Sequence, residues 1–202
     1  MRNKIILAMA AAGMMCATSA FAADTPDHSV GPFGSGKVTF TGTITNSPCD
    51  IAPGDDNLTV NFGQISYRKL KPLNATSDAK PVTIHLQNCS FDPDDSTSGT
   101  KNPVGAMSMV SVAFTGTADS TDTAYANTPG KEMATGVGVQ LLDSDLHPLK
   151  PSVLSSTGTT PQQLQTGDNQ INLFAQLINL GGEDSIKPGS INTALNYTLT
   201  YK

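Results

Sequence analysis

Alternation of apolar and polar positions dominates the chain. Gly36, Val38, Phe40, Gly42 and Ile44 interleave with Lys37, Thr39, Thr41, Thr43 and Thr45, the period-two pattern of a strand with one apolar face. Residues 36–45 at ~3.3 Å each would span roughly 33 Å. Further strands are predicted at 58–62, 82–89, 107–114, 137–142 and 171–177, the first of them after the turn residues Pro53, Gly54, Asp55 and Asp56. The end of the chain alternates most strictly: Ile191, Thr193, Leu195, Tyr197, Leu199 and Tyr201 face one way, and the residues between them face the other. The segments 92–102, 115–130 and 152–169 are rich in Ser, Thr, Gly and Pro and read as loops. No 3.6-residue period is sustained, so no helix is expected, and the pattern predicts an all-β sandwich of about seven strands.

Composition narrows the class. A chain of 202 residues fits one ordinary domain. Only 14% of residues are charged, 18 are Gly, and Trp is absent, which suits strands and turns better than a helical bundle. A net charge of −5 argues against nucleic acid or anionic lipid as a partner, because both require a basic surface.

The first residues read as a leader. Arg2 and Lys4 precede a short apolar run, and Ala20-Phe21-Ala22 is a small-x-small cleavage pattern, so residues 1–22 are expected to be a signal peptide removed after Ala22. The apolar run is too short to span a bilayer, and no later stretch approaches ~20 apolar residues. The leader takes Cys16 with it and leaves Cys49 and Cys89. In an exported chain such a pair is expected to form a disulfide. Closing that loop contributes roughly 4 kcal/mol by chain entropy. Residues 23–35, with Pro26, Gly31, Pro32 and Gly34, have little to bury and are expected to be mobile.

Catalytic chemistry finds no support. His28, His85 and His147 fall in the extension, in a strand and in a turn, without HExxH or paired metal-ligand spacing. No Gly-x-Ser-x-Gly elbow or glycine-rich phosphate loop is present. Asp92, Asp94 and Asp95, like Asp143 and Asp145, read as solvated turns rather than calcium ligands. Neither an enzyme nor a cofactor is expected. Gly36 and Gly42 stand out instead: on the apolar face of a strand they fill no core, which suits a strand that meets a shallow pocket or another backbone.

These features together resemble the pilin family of the chaperone–usher pathway, of the type 1 and P-pilus kind. The motifs are Gly36-Lys37-Val38-Thr39-Phe40-Thr41-Gly42-Thr43 ahead of Cys49, Asn61-Phe62-Gly63-Gln64-Ile65, Leu86-Gln87-Asn88-Cys89, and the ending Ala194-Leu195-Asn196-Tyr197-Thr198-Leu199-Thr200-Tyr201-Lys202. Tyr201 and Gly189 occupy the family's penultimate tyrosine and its glycine fourteenth from the end. The resemblance implies an incomplete immunoglobulin-like β-sandwich that lacks its seventh strand. It further implies that Gly36, Val38, Phe40, Gly42 and Ile44 form a donor strand for a neighbouring subunit. Gly189, Ile191, Leu195, Tyr197, Leu199 and Tyr201 would then border the acceptor groove and serve chaperone recognition. The domain reading that follows is a leader at 1–22, an extension at 23–45 carrying the donor strand 36–45, and a pilin domain at 46–202. Partners implied are a periplasmic chaperone, an outer-membrane usher and identical or related subunits, with export through the periplasm to a surface fimbria supporting adhesion. Two rivals remain: a minor adaptor, anchor or terminator of the same system, and a self-contained secreted sugar-binding β-sandwich.

Overall fold

The computed structural model describes residues 36–95, 101–182 and 185–202; the expected leader at 1–22 and the stretch 23–35 lie outside them. The chain divides between Ile44 and Thr45 into two units. In the second unit the alternating stretches become two antiparallel sheets. β1 (Asp50–Ile51), β2 (Lys80–Cys89), β4 (Tyr125–Ala126), β5 (Val137–Leu142), β6 (Pro148–Leu149) and β8 (Gly167–Asn179) form a six-stranded sheet in the order β1-β2-β8-β5-β4, with β6 also on β5. β3 (Met109–Thr115), β7 (Gln162–Gln163) and β9 (Asn196–Tyr201) form a three-stranded sheet in the order β7-β3-β9.

The pairing register follows the apolar rows. Ile84 lies opposite Ile171 and Val82 opposite Leu173 across β2 and β8. Val139 meets Leu177 and Leu141 meets Ala175 across β5 and β8. All eight of these side chains are buried, because period two places one row of each strand on the same side of the sheet. The smaller sheet supplies Val110, Val112 and Phe114, opposite Tyr201, Leu199 and Tyr197. The core therefore lies between the two sheets, the arrangement of a β-sandwich. Cys49 and Cys89 are joined as a disulfide, with Cα atoms 4.1 Å apart. The bridge ties the entry to β1 to the end of β2, where the β2–β8 register shifts after Leu86.

Tyr125 links the sheets. It is 1% exposed, and its hydroxyl donates to the Phe114 carbonyl at 3.1 Å. Burial, reinforced by nearby Asp122, pushes its pKa up to about 12. Burial also raises Tyr197 and Tyr201. A tyrosine raised in the folded state keeps its full contribution below the unfolded value of ~10 and loses it as pH rises toward the folded value. Stability is thus expected to fall between about pH 10 and about pH 12, by on the order of 2 kcal/mol from Tyr125 alone. Urea midpoints at about pH 9 and about pH 11.5 check this, and the drop should be smaller for Tyr125→Phe.

Several expectations need correcting. Residues 58–62 alternate but form no strand. Residues 36–45 form none either; an amphipathic stretch becomes a strand only where a ladder partner supplies hydrogen bonds. The predicted strand at 107–114 begins at Met109, because Met107 holds a φ of 61°. The loop at 152–169 holds β7, the start of β8 and most of a short helix, α1 (Pro151–Ser156). Pro151 suits its first turn, Asp122 accepts the Ser152 amide and hydroxyl, and Leu154 is wholly buried. A three-residue 3-10 turn, Asp55–Asn57, follows β1. Among the described residues, no helix is long and apolar enough to cross a membrane.

Candidate functional site

The second unit carries a cleft of about 1030 Å³ between two stretches of chain that lie outside the named strands. One wall is 57–67 and the other is 186–195. Leu70, Ala134, Val137 and Leu177 lie beneath them, all buried core residues. A cleft with an apolar floor is where a fold exposes the face a further element would cover.

The first wall is held from inside and is open at its backbone. Val60, Phe62 and Ile65 pack against the core, but residues 58–65 make no backbone–backbone hydrogen bond among the described residues. The Gly63 amide donates to Asn61 Oδ1 at 2.7 Å; a run of main-chain groups otherwise without a ladder partner, beside an apolar floor, is a template for an added strand.

The second wall shows the same deficit. Residues 191–201 alternate strictly between half-buried and exposed. The inward row of Ile191, Leu195, Tyr197, Leu199 and Tyr201 packs on the core yet remains half-covered, whereas the rows of β2, β3 and β8 are closed. Among the described residues β9 pairs with β3 alone, and residues 193–195 make no backbone–backbone hydrogen bond. Gly189, Ile191 and Leu195 line the cleft itself; Tyr197, Leu199 and Tyr201 continue the same row along β9 beyond it. The Tyr201 hydroxyl is enclosed beside the Ser47 side chain and makes no well-formed hydrogen bond among the described residues.

Gly189 has a packing reason. A Cβ there would stand 2.5 Å from the Ala134 nitrogen and the Met133 carbonyl carbon, and 2.7 Å from the Glu132 oxygen. These are backbone atoms that cannot swing aside. Close approach lets Ser190 bridge Met133, with Ser190 N–H donating to the Glu132 carbonyl at 2.9 Å and Ala134 N–H to the Ser190 carbonyl at 2.9 Å. This seats the wall just before Ile191. Gly189→Ala is expected to cost about 1–3 kcal/mol by overpacking, seen as a lower urea midpoint with an unchanged slope.

In the first unit, Val38, Phe40 and Ile44 are 74%, 89% and 101% exposed. So large an apolar row in water asks for a partner surface. A Cβ added at Gly36 or Gly42 would meet nothing within 4 Å, and neither residue has a left-handed backbone.

The other candidates are used locally. His85, on β2, directs Nδ1 to Asp55 at 2.8 Å. Asp143, Asp145 and His147 gather at the β5–β6 turn with ligand atoms within 4.8 Å. There Asp143 accepts the Asp145 and His147 amides, and these bonds, the His147 one foremost, hold its carboxyl below the usual carboxylate range. Asp94 accepts the Asn102 amide. His28 lies outside the described residues. Two polar residues escaped sequence reasoning: Asp55, which ties a turn to two strands, and Asn179, fully buried where β8 ends. Nothing in their local pattern distinguishes either from an ordinary turn or surface residue.

The described residues thus form a nearly all-β sandwich with an open, apolar-floored cleft. The Fimbrial protein family model matches residues 38–202, and the chain belongs to that family: it is a structural protein of a surface fimbria, not an enzyme. It is 32% identical over 169 residues to the fimbria A protein of Serratia marcescens, across 84% of this chain and 86% of that one. It is 29% identical over 206 residues to fimbrial subunit type 1 of Salmonella typhimurium, across 100% of both. Its fold is similar to a subunit in a chaperone–usher pilus structure concerned with rod uncoiling, with TM-score 0.67 and 23% identity, covering 86% of this chain and 99% of that one. It is also similar to the P pilus rod subunit PapA, with TM-score 0.59 and 21% identity, covering 77% and 100%. The sandwich is therefore the immunoglobulin-like fold of the pilins.

Proposed function

We propose that the chain is a polymerising subunit, of the major or shaft kind, of a chaperone–usher fimbria that supports cell adhesion. Its extension at 23–45 offers residues 36–45 as the donor strand, and the cleft of its pilin domain, 46–202, receives the donor strand of a neighbour. A strand added to an exposed sheet edge is an established recognition mode, for which donor-strand complementation in pilins is a standing example. The observation that carries the reading is the cleft between 57–67 and 186–195, whose first wall makes no backbone–backbone hydrogen bond over 58–65 among the described residues. Gly36, Val38, Phe40, Gly42 and Ile44 supply the complementary row.

Each subunit would accept one strand and offer another. That contact is head-to-tail, and a head-to-tail contact that does not close generates a filament. Before assembly the open cleft needs cover: after export under the 1–22 leader a periplasmic chaperone would lend it a strand, and an outer-membrane usher would be where the next subunit's strand replaces it. Purifying the chain with and without its chaperone tests this. The expected result is a subunit unstable alone, soluble as a one-to-one complex, and slowly forming ladders that resist SDS until heated. A stable, non-assembling monomer would overturn it.

A further inference from the structure

Hydrogen bonds anchor the first wall of the cleft at its ends, while Val60, Phe62 and Ile65 pack inward between them. At the far end, Asn179 donates from Nδ2 to the carbonyls of Leu70, Lys71 and Pro72 at 2.9 to 3.0 Å. At the near end stands Asp55. One oxygen of its carboxylate accepts both the His85 amide at 2.6 Å and the His85 ring Nδ1 at 2.8 Å, while its carbonyl accepts the Tyr197 hydroxyl at 2.9 Å. His85 belongs to β2 of the larger sheet and Tyr197 to β9 of the smaller one. Asp55 is thus the residue where the start of the wall meets both sheets. Its side chain is 14% exposed, and the His85 ring that it binds is 48% exposed.

We infer that the Asp55 carboxylate is a positioning group for strand capture: by tying the start of the 58–65 wall to His85 of β2 it holds in place the main-chain carbonyl that Tyr197 of β9 binds, and so fixes how far that start stands from β9 before a strand enters. Between the anchors the wall makes no main-chain bond that would set its place. An incoming strand must find donors and acceptors on both walls at ladder spacing at once. A wall loosened at its near end, with only the Tyr197 bond to the Asp55 carbonyl left there, would sample more separations, and the competent fraction would fall. Once a strand is seated, its own ladder sets the spacing and Asp55 becomes redundant. The inference rests on the cleft being a strand acceptor.

The test uses the full chain after leader removal and a fluorophore-labelled peptide of residues 36–45 as the incoming strand, followed by anisotropy. Asp55→Ala is expected to slow peptide association by about tenfold, the rate equivalent of one charge-assisted hydrogen bond. Peptide dissociation and the melting temperature of the peptide-filled chain should stay at the wild-type values. Asp55→Asn keeps an acceptor for the His85 amide and should recover part of the rate. His85→Ala should slow association alone, and add little on top of Asp55→Ala, since both changes remove the same tie. Wild-type association in Asp55→Ala would overturn the inference, as would a melting temperature of the filled chain that falls along with the rate. If the wild-type chain does not bind the peptide at all, the acceptor reading itself fails and this inference with it; a defect confined to the variants leaves that reading standing.

Discussion

Deleting residues 199–202 is expected to abolish accumulation of the subunit and its capture by a chaperone. The deletion removes half of β9: Leu199, Thr200 and Tyr201 pair with Val112, Ser111 and Val110, and Lys202 exchanges two hydrogen bonds with Met109 at 2.8 and 3.0 Å. Val110 and Val112 are 1% and 0% exposed, so the loss uncovers the centre of the smaller sheet and cuts short the apolar row that runs on from the cleft along β9. Each large apolar side chain taken out of the core costs about 1.5–3 kcal/mol. With the lost ladder bonds the total approaches the roughly 5–15 kcal/mol that holds a domain folded. Co-expression with the chaperone, followed by affinity capture and immunoblotting, measures the effect. A truncated chain that accumulates as the wild-type complex does would show that β9 is dispensable for the acceptor site.

The strands of the core were legible because alternation reports which side chains are buried together. Ile84 with Leu86, and Ile171 with Leu173, Ala175 and Leu177, mark β2 and β8 unmistakably. The same signal misleads where burial and pairing part company. Leu58, Val60 and Phe62 alternate as β-strand residues do, and Val60 and Phe62 do pack on the core, but the main chain over 58–65 has no ladder partner. Alternation cannot distinguish a strand that is paired from a strand position awaiting its neighbour. Two-residue strands such as β4 and β6 are shorter than any periodicity, and α1, at six residues, completes too few turns to show one.

The site divides along a similar line. Its apolar row could be read from Ile191, Leu195, Tyr197, Leu199 and Tyr201 as they stand in the sequence. Its polar anchors could not, because the partners of Asp55 and Asn179 are distant in the chain: His85 and Tyr197 for one, Leu70 to Pro72 for the other. Gly189 falls between these cases. Its place near the end of the chain drew notice through family resemblance, but its physical cause is the backbone of 132–134 lying 2.5 to 2.7 Å from where a Cβ would stand, a long-range fact.

Gly42→Asn is expected to block donation while leaving the chain able to accept. Two causes normally require glycine, a left-handed backbone or a neighbour too close for a Cβ, and neither operates at Gly42 within its own chain. The substitution therefore leaves the variant's own fold undisturbed. In the proposed assembly, what remains to demand glycine is the surface that Gly42 would enter, a shallow pocket in the next subunit's cleft. Forcing an asparagine into it costs about 1–3 kcal/mol in overpacking, or roughly 5- to 150-fold in binding, with a further penalty for an amide enclosed among apolar groups. Alone, the variant should form few SDS-resistant oligomers. Mixed with wild-type subunits, it should fill its cleft with a wild-type strand and then end the filament, shortening the ladder as its proportion rises. If the variant polymerises alone as readily as the wild type, Gly42 does not enter the cleft and residues 36–45 are not the donated strand in this register. If it neither donates nor accepts, donation and acceptance are not separable, and the assignment of the two roles to 36–45 and to the cleft falls with them.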